Sequence, residues 1–228
     1  MRVELINSGL VVDEREIFRG VNFSIGPGEV LAVTSEEGTG KSFLFRLLAL
    51  ITPPETGEIL FDGADPWKER KKRALIRSSL GIIPESIPAT ELSTVESLVK
   101  TNYYLMRRIS WKRYRKRVKE SLSLMKLDLT DDQPLSSLSR SERARFFFAL
   151  ELARAPKLFF LDSLLSELGD FWGERVFLML RRLAEEERGA VFFERKLPHF
   201  LERRVSRSSF TEGKFTVHTL YRKDDVVI

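Results

Sequence analysis

Cysteine is absent from this chain, which excludes a disulfide framework and any thiolate-held metal site while leaving the redox compartment open. No apolar run reaches the roughly 18 residues that a membrane-spanning helix needs. The longest candidate, residues 43–51, is short and interrupted by Arg46. A secretory leader is not expected either, since Met1-Arg-Val-Glu-Leu-Ile6 reads as a first strand. There is no internal repeat and no low-complexity linker. What is present is 228 residues, 31% of them charged, with a net charge of +5. That length can build a large core, either as one α/β domain with an inserted subdomain or as two small domains. The positive excess sits in Lys68-Glu-Arg-Lys-Lys-Arg73 and in residues 107–119. Such runs can face nucleic acid or anionic lipid, although a solvated helix face is the commoner use.

The most informative stretch is Val30-Leu-Ala-Val-Thr-Ser-Glu-Glu-Gly-Thr-Gly-Lys-Ser42, followed by Phe43-Leu-Phe-Arg-Leu-Leu-Ala-Leu50. An apolar, partly β-branched run reads as a buried parallel strand, a Gly-rich turn follows, and a helical pattern begins. Strand, Gly loop and helix in that order are the context of a phosphate-binding P-loop. Loop amides and the first-turn amides of the helix favour an anion at one spot. Lys41 adds a mobile charge for terminal phosphates, and the Ser42 hydroxyl suits Mg²⁺. The candidate nucleotide-contacting loop is Ser35, Glu36, Glu37, Gly38, Thr39, Gly40, Lys41 and Ser42. The strict pattern has Gly where Ser35 stands, so a positive φ there would strain this loop. Glu36 and Glu37 bring negative charge to a phosphate site unless they face solvent.

Strand-like pieces are expected at 2–6 and 21–25, around a polar turn at Asp13-Glu-Arg-Glu16. Further strands are expected at 58–63, at Leu80-Gly-Ile-Ile-Pro-Glu85 and at 189–193. Residues 90–129 change to helical spacing and read as an all-helical insertion closed by Asp131-Asp-Gln-Pro134. Helices are expected at 141–154 and 173–187, and a hairpin at 204–217 turning at Glu212-Gly213. Lys157-Leu-Phe-Phe-Leu-Asp162 is a continuous hydrophobic strand ending in a carboxylate, about 120 residues after the Gly-rich loop. As a strand next to the P-loop strand, it would place Asp162 to hold Mg²⁺ opposite Ser42.

Leu138-Ser-Arg-Ser-Glu-Arg-Ala-Arg-Phe-Phe-Phe-Ala-Leu-Glu-Leu-Ala-Arg154 resembles the signature region of ATP-binding-cassette (ABC) proteins. The order of Gly-rich loop, strand ending at a polar residue, helical insertion, signature helix and aspartate-ended strand is similar to an ABC cassette over essentially the whole chain. The resemblance implies an α/β P-loop NTPase (RecA-like) core at 1–85 and 143–228. It also implies a mainly parallel sheet, an N-terminal antiparallel β part and an inserted helical subdomain at 86–142. It further implies ATP and Mg as ligands, a second cassette as homo- or heterodimer partner, and a membrane-spanning transporter subunit docked on the helical subdomain. Residence would then be cytoplasmic and peripheral to the membrane. By the same resemblance Ser139 would reach a partner's nucleotide, and Ser42, Asp162 and Glu85 would surround Mg²⁺.

The departures from the family pattern are specific. Glu85 stands where a glutamine is usual, and Leu138-Ser139-Arg140-Ser141-Glu142 lacks both signature glycines. Ser163 replaces the catalytic glutamate, Gly169 the D-loop aspartate, and Glu194-Arg195 the segment with the switch histidine, His199 coming too late. Val12 aligns near the aromatic that would stack on adenine. Ser163 cannot act as a base near neutral pH, and losing a general base costs about 10²–10⁴ in rate. Binding without efficient turnover is therefore the expectation. Two alternatives stay open: an active ATPase recruiting Glu167 or Glu194, and a soluble ABC-like regulatory or nucleic-acid-binding module. Ser139 also fits a plain capping box with Glu142. Phe146, Phe147, Phe148, Phe159 and Phe160 read as core, whereas Tyr103, Tyr104, Trp111 and Tyr114 read as a docking cluster. A membrane partner is favoured there over nucleic acid.

Overall fold

The computed structural model describes residues 1–85, 93–106, 109–211 and 215–223. The N-terminal strands β1 (Val3–Val12) and β2 (Arg15–Ile25) form a hairpin turning at Asp13 and Glu14, both with positive φ. β4 (Thr56–Phe61) pairs with the other edge of β1, completing an antiparallel sheet of order β2-β1-β4. Both hairpin strands run longer than their sequence pattern suggested. The polar turn at 13–16 is only two residues wide, and cross-strand pairing carries Arg15 and Glu16 into β2.

β3 (Glu29–Thr34) enters a second sheet of order β5-β6-β7-β3-β9-β8. β5 (Leu80–Ile83), β6 (Leu158–Asp162), β7 (Gly189–Glu194) and β3 are parallel. β9 (Phe215–Arg222) joins β3 antiparallel and carries β8 (Arg207–Thr211) at the edge. The central strands alternate between two cores, as their period of two requires. Leu31, Val33, Phe160 and Phe193 face the antiparallel sheet and α1 (Lys41–Leu48), whereas Ala32, Phe159, Leu161 and Phe192 face the helical layer. One expectation is corrected: β6 is not adjacent to the loop-bearing strand. The helix linking β6 to β7 returns the chain so that β7 lies between β6 and β3.

The helical layer comprises α3 (Val95–Met106), α4 (Trp111–Leu124) and α5 (Arg140–Ala153), with α2 (Arg70–Arg77) apart on the other side of β5 in sequence. The basic run at 68–73 leads into α2, whose Arg70, Lys71, Lys72 and Arg77 are exposed, as a solvated helix face would be. α6 (Leu164–Glu185) begins directly after Ser163 and is broken at Gly169 (φ 71°, ψ 172°), nine residues ahead of the expected start. α7 (His199–Glu202) is one turn. Phe146, Phe148, Phe159 and Phe160 are fully buried. Tyr114 is also fully buried and donates to Asn102 Oδ1 at 2.7 Å, so it belongs to the core and not to a surface cluster. Tyr103 and Trp111 pack on that core while Tyr104 stays exposed. The expected turn at Glu212-Gly213 and the start of the helical insertion at 86–92 lie outside the described residues.

Candidate functional site

The carboxyl ends of β3, β6 and β7 and the first turn of α1 converge on one cleft. The Gly-rich loop supplies its back wall. Positive φ falls on Gly38 (78°) and Gly40 (99°) and not on Ser35, so the serine is not strained. Gly40 is required twice over: a Cβ there would lie 2.5 Å from Ile17 Cγ2, besides the unfavourable φ. Its carbonyl accepts from the amides of Phe43 and Leu44 at 2.9 Å each, which starts α1. The amides of Lys41 and Ser42 stand at the helix's open end, where no carbonyl precedes them. Thr39 Oγ1 donates to the Glu36 carbonyl at 2.8 Å and tightens the loop. Ser35 Oγ is buried without a hydrogen-bond partner among the described residues.

Lys41 Nζ donates to Asp162 Oδ1 at 3.5 Å, with the two side chains 11% and 3% exposed. Sequence reading set Asp162 opposite Ser42 on a neighbouring strand; in the structure β7 intervenes, and the carboxylate meets Lys41, because parallel strands deliver their carboxyl ends to the same side of the sheet. Burial raises the Asp162 carboxyl above its ordinary range, Lys41 pulls it back, and Glu85 adds a smaller rise. Glu85 is therefore close to Asp162, and it is exposed in the cleft.

This cleft has a volume of about 690 Å³ and is lined by Glu36, Glu37, Gly38 and Gly40 of the loop, by Lys41 and Ser42, and by Glu85, Ser163, Ser166, Glu167 and Arg195. Ser35 and Thr39 do not line it, and Asp162 lines the adjoining pocket that shares Glu85 and Glu167. The cleft's size suits a small-molecule ligand. Arg15, Glu16, Ile17 and Phe43 also line it, and sequence reading missed all four. The available signal was the strand pairing that follows the two-residue turn. Val12 packs against the N-terminal core and is not among the lining residues. Carboxylates outnumber cations here, with Glu16, Glu36, Glu37, Glu85 and Glu167 against Arg15, Lys41 and Arg195. A polyphosphate entering such a lining is helped by an accompanying cation.

The donors fit magnesium: a hydroxyl at Ser42 and carboxylates at Asp162 and Glu85 are hard oxygen ligands. Among the described residues no group of three His, Cys, Asp or Glu forms a protein-only cage, so phosphate and water oxygens would complete the shell. Ser163, at φ 55°, stands at the N-cap position of α6 next to Asp162 without a side-chain capping bond, and its amide donates to the Phe193 carbonyl at 2.8 Å.

Two carboxylates weighed as replacements for a catalytic base differ sharply. Glu194 is 1% exposed, and its oxygens accept from the Leu165 amide at 2.8 Å and Ser166 Oγ at 2.6 Å. Burial pushes its pKa up to about 7. It does not line the cleft, so it positions the first turn of α6. Glu167 does line the cleft and pairs with Arg140 Nε at 3.1 Å. Ser139 caps α5 in a complete capping box, accepting from the Glu142 amide while Glu142 Oε2 accepts from the Ser139 amide. It lies outside the cleft of its own chain. His199 is exposed beside Glu202, also away from the cleft.

A parallel sheet with a Gly-rich loop opening a helix, and an aspartate at a strand end facing the loop lysine, defines the P-loop NTPase class. Within it, the sequence model of the family described as ABC transporter matches residues 18–166, and this chain belongs to that family. It is 34% identical over 167 residues to the phosphate import ATP-binding protein PstB 2 of Natronomonas pharaonis, covering 68% of this chain and 58% of that one. It is 29% identical to the lipoprotein-releasing system ATP-binding protein LolD of Paramagnetospirillum magneticum, covering 76% and 77%. The matched part spans only 39% of a ribose import ATP-binding protein, RbsA 1, of Rhizobium johnstonii. In structure, the chain superposes on the dimeric cassette MJ0796 bound to ADP and Pi with a TM-score of 0.73 at 22% identity, covering 85% and 88% of the two chains. No helix among the described residues is long and apolar enough to cross a membrane.

Proposed function

We propose that this chain is the ATP-binding subunit of an ABC-type membrane transport complex, holding Mg-ATP at the Gly-rich loop with weak or no hydrolysis of its own. The observation that carries the reading is the cleft in which Lys41 faces Asp162 at 3.5 Å while Ser163 occupies the adjoining place. Loop and first-turn amides, with Lys41, supply electrostatic hold on the phosphates. Ser42, Asp162 and Glu85 would hold magnesium, which would supply positive charge to offset that of the phosphates. On nucleotide entry Lys41 exchanges the Asp162 carboxylate for phosphate, leaving the carboxylate free for the metal side. A serine hydroxyl beside Asp162 cannot take a proton from an attacking water near neutral pH, so the chain grips a triphosphate without efficiently cleaving it.

The names of its relatives support placing the chain beside membrane-spanning subunits and a second cassette. The half-exposed aromatic group of Tyr103 and Trp111, with Tyr104 beside it, favours the helical subdomain at 86–142 as the docking face for a membrane subunit. A second reading, an active ATPase, is favoured by Glu167, the carboxylate that both lines the cleft and sits beyond Ser163. Calorimetry with Mg-ATP, paired with steady-state phosphate release on the same sample, separates the two. The binding reading expects micromolar-range affinity abolished by Lys41→Ala, with negligible release. Robust Lys41-dependent release abolished by Glu167→Gln would establish the second reading. Purification of the complex in detergent should bring down a membrane-spanning chain. Recovery of nucleic acid alone would overturn the transport assignment.

A further inference from the structure

The Gly-rich loop carries two glutamates, Glu36 and Glu37, at positions where negative charge opposes phosphate binding. One of them is engaged. The Glu37 carboxylate pairs with the guanidinium of Arg195, one residue past β7. Both side chains line the same cleft as Lys41 and Ser42. β7 lies between β3, which feeds the loop, and β6, which ends at Asp162. A cation at its carboxyl end thus borders the same cleft as Lys41, the residue that marks the place of the terminal phosphates in a P-loop site.

The pair is built to exchange. Arg195 and Glu37 are 61% and 82% exposed, against 11% and 3% for Lys41 and Asp162. Exposed ion pairs hold weakly, whereas a phosphate offers more charge and a bidentate match to the guanidinium fork. The base of Arg195 is nevertheless fixed, because the preceding Glu194 is buried and tied to Leu165 and Ser166. A rigid root with a free side chain can change partners without moving the strand.

We propose that Glu37 is a built-in stand-in for the terminal phosphate of a nucleoside triphosphate, and that Arg195 transfers from Glu37 to that phosphate when the nucleotide binds. This rests on the nucleotide-binding reading and adds to it the group that tells a triphosphate from a diphosphate. With a diphosphate bound, Arg195 stays on Glu37. With a triphosphate bound, the strap opens and Glu37 turns to solvent.

The test is calorimetric titration of the full chain with Mg-ATP and, separately, Mg-ADP. Arg195→Ala should weaken ATP about tenfold or more, as loss of a charge-assisted contact does, with ADP changed less than about twofold. Arg195→Lys should fall between. Glu37→Gln should tighten ATP about threefold by removing the competitor, and this gain should vanish in the Arg195→Ala background. Equal losses for ATP and ADP in Arg195→Ala, unchanged ATP affinity there, or weakened ATP binding in Glu37→Gln each overturn the strap. Both positions are exposed, so the melting temperature of each variant should match the parent, which excludes misfolding as the cause. A parent chain that binds neither nucleotide would bring down the nucleotide reading together with the strap. A parent that binds both, with variants showing no ATP-specific change, brings down the strap alone.

Discussion

Gly40 holds φ 99° with Ile17 Cγ2 where a Cβ would go. Gly40→Ala should therefore cost roughly 1–3 kcal/mol of stability and abolish Mg-ATP binding, measured by chemical denaturation and calorimetry. Ser163 adjoins Asp162 at the cleft. If a missing base is what limits turnover, Ser163→Glu should raise phosphate release by roughly 10²-fold; an unchanged rate would place the deficit elsewhere. Glu194 titrates at about 7 in the folded protein against 4.5 for the free group. A carboxyl raised on folding binds more protons in the native state, so its contribution is complete below about pH 4.5 and is lost as pH rises through about 7. Glu194→Gln keeps an acceptor for Leu165 and an amide for Ser166 without the charge. It should melt above the parent at pH 8 and level with it at pH 4. These residue-scale features were unevenly legible in the sequence. The lysine, the glycines and the aspartate announce themselves by spacing. The raised carboxyl of Glu194 does not, because burial depends on which helix closes over the strand end.

At the scale of elements, α5 joins the helical insertion to the core. Glu151 on α5 is buried and accepts from Asn102 Nδ2 on α3 (3.1 Å), the Ile82 amide on β5 (3.3 Å) and Arg154 (2.6 Å), while Tyr114 on α4 donates to Asn102. Burial raises the Glu151 carboxyl, and Arg154 and these hydrogen bonds draw it back. Removing one hydroxyl leaves Asn102 Oδ1 without that donor, so Tyr114→Phe should lower stability by about 1–2 kcal/mol, read from the denaturation midpoint. Residue spacing marked α3, α4 and α5 as helices but read Tyr114 as a surface aromatic. Composition cannot distinguish a buried tyrosine on a basic helix from an exposed one, since only packing against α3 and α5 decides which face turns inward. The early start of α6 escaped notice for a similar reason: Gly169 breaks the pattern, and the turn before it is held by Glu194, almost thirty residues away.

For the whole molecule, β3, β6 and β7 lend alternate side chains to both cores. Two cores sharing the same strands should unfold together. Trp67 packs on the N-terminal core and Trp172 on the helical one. Variants retaining either tryptophan alone should therefore show coincident fluorescence midpoints in guanidinium, and separated midpoints would mean independent units. By itself, the sequence determined the class of fold, the order of strand, Gly-rich loop and helix, and the aspartate-ended strand with the serine that follows it. Those are consequences of local spacing, which backbone geometry translates directly. Tertiary structure alone decided that β7 runs between β3 and β6, that Glu194 is sealed under α6, and that Arg195 reaches Glu37 across the cleft. Each joins residues far apart in the chain, and such partners are chosen by how sheets and helices stack, a property no short window of residues contains.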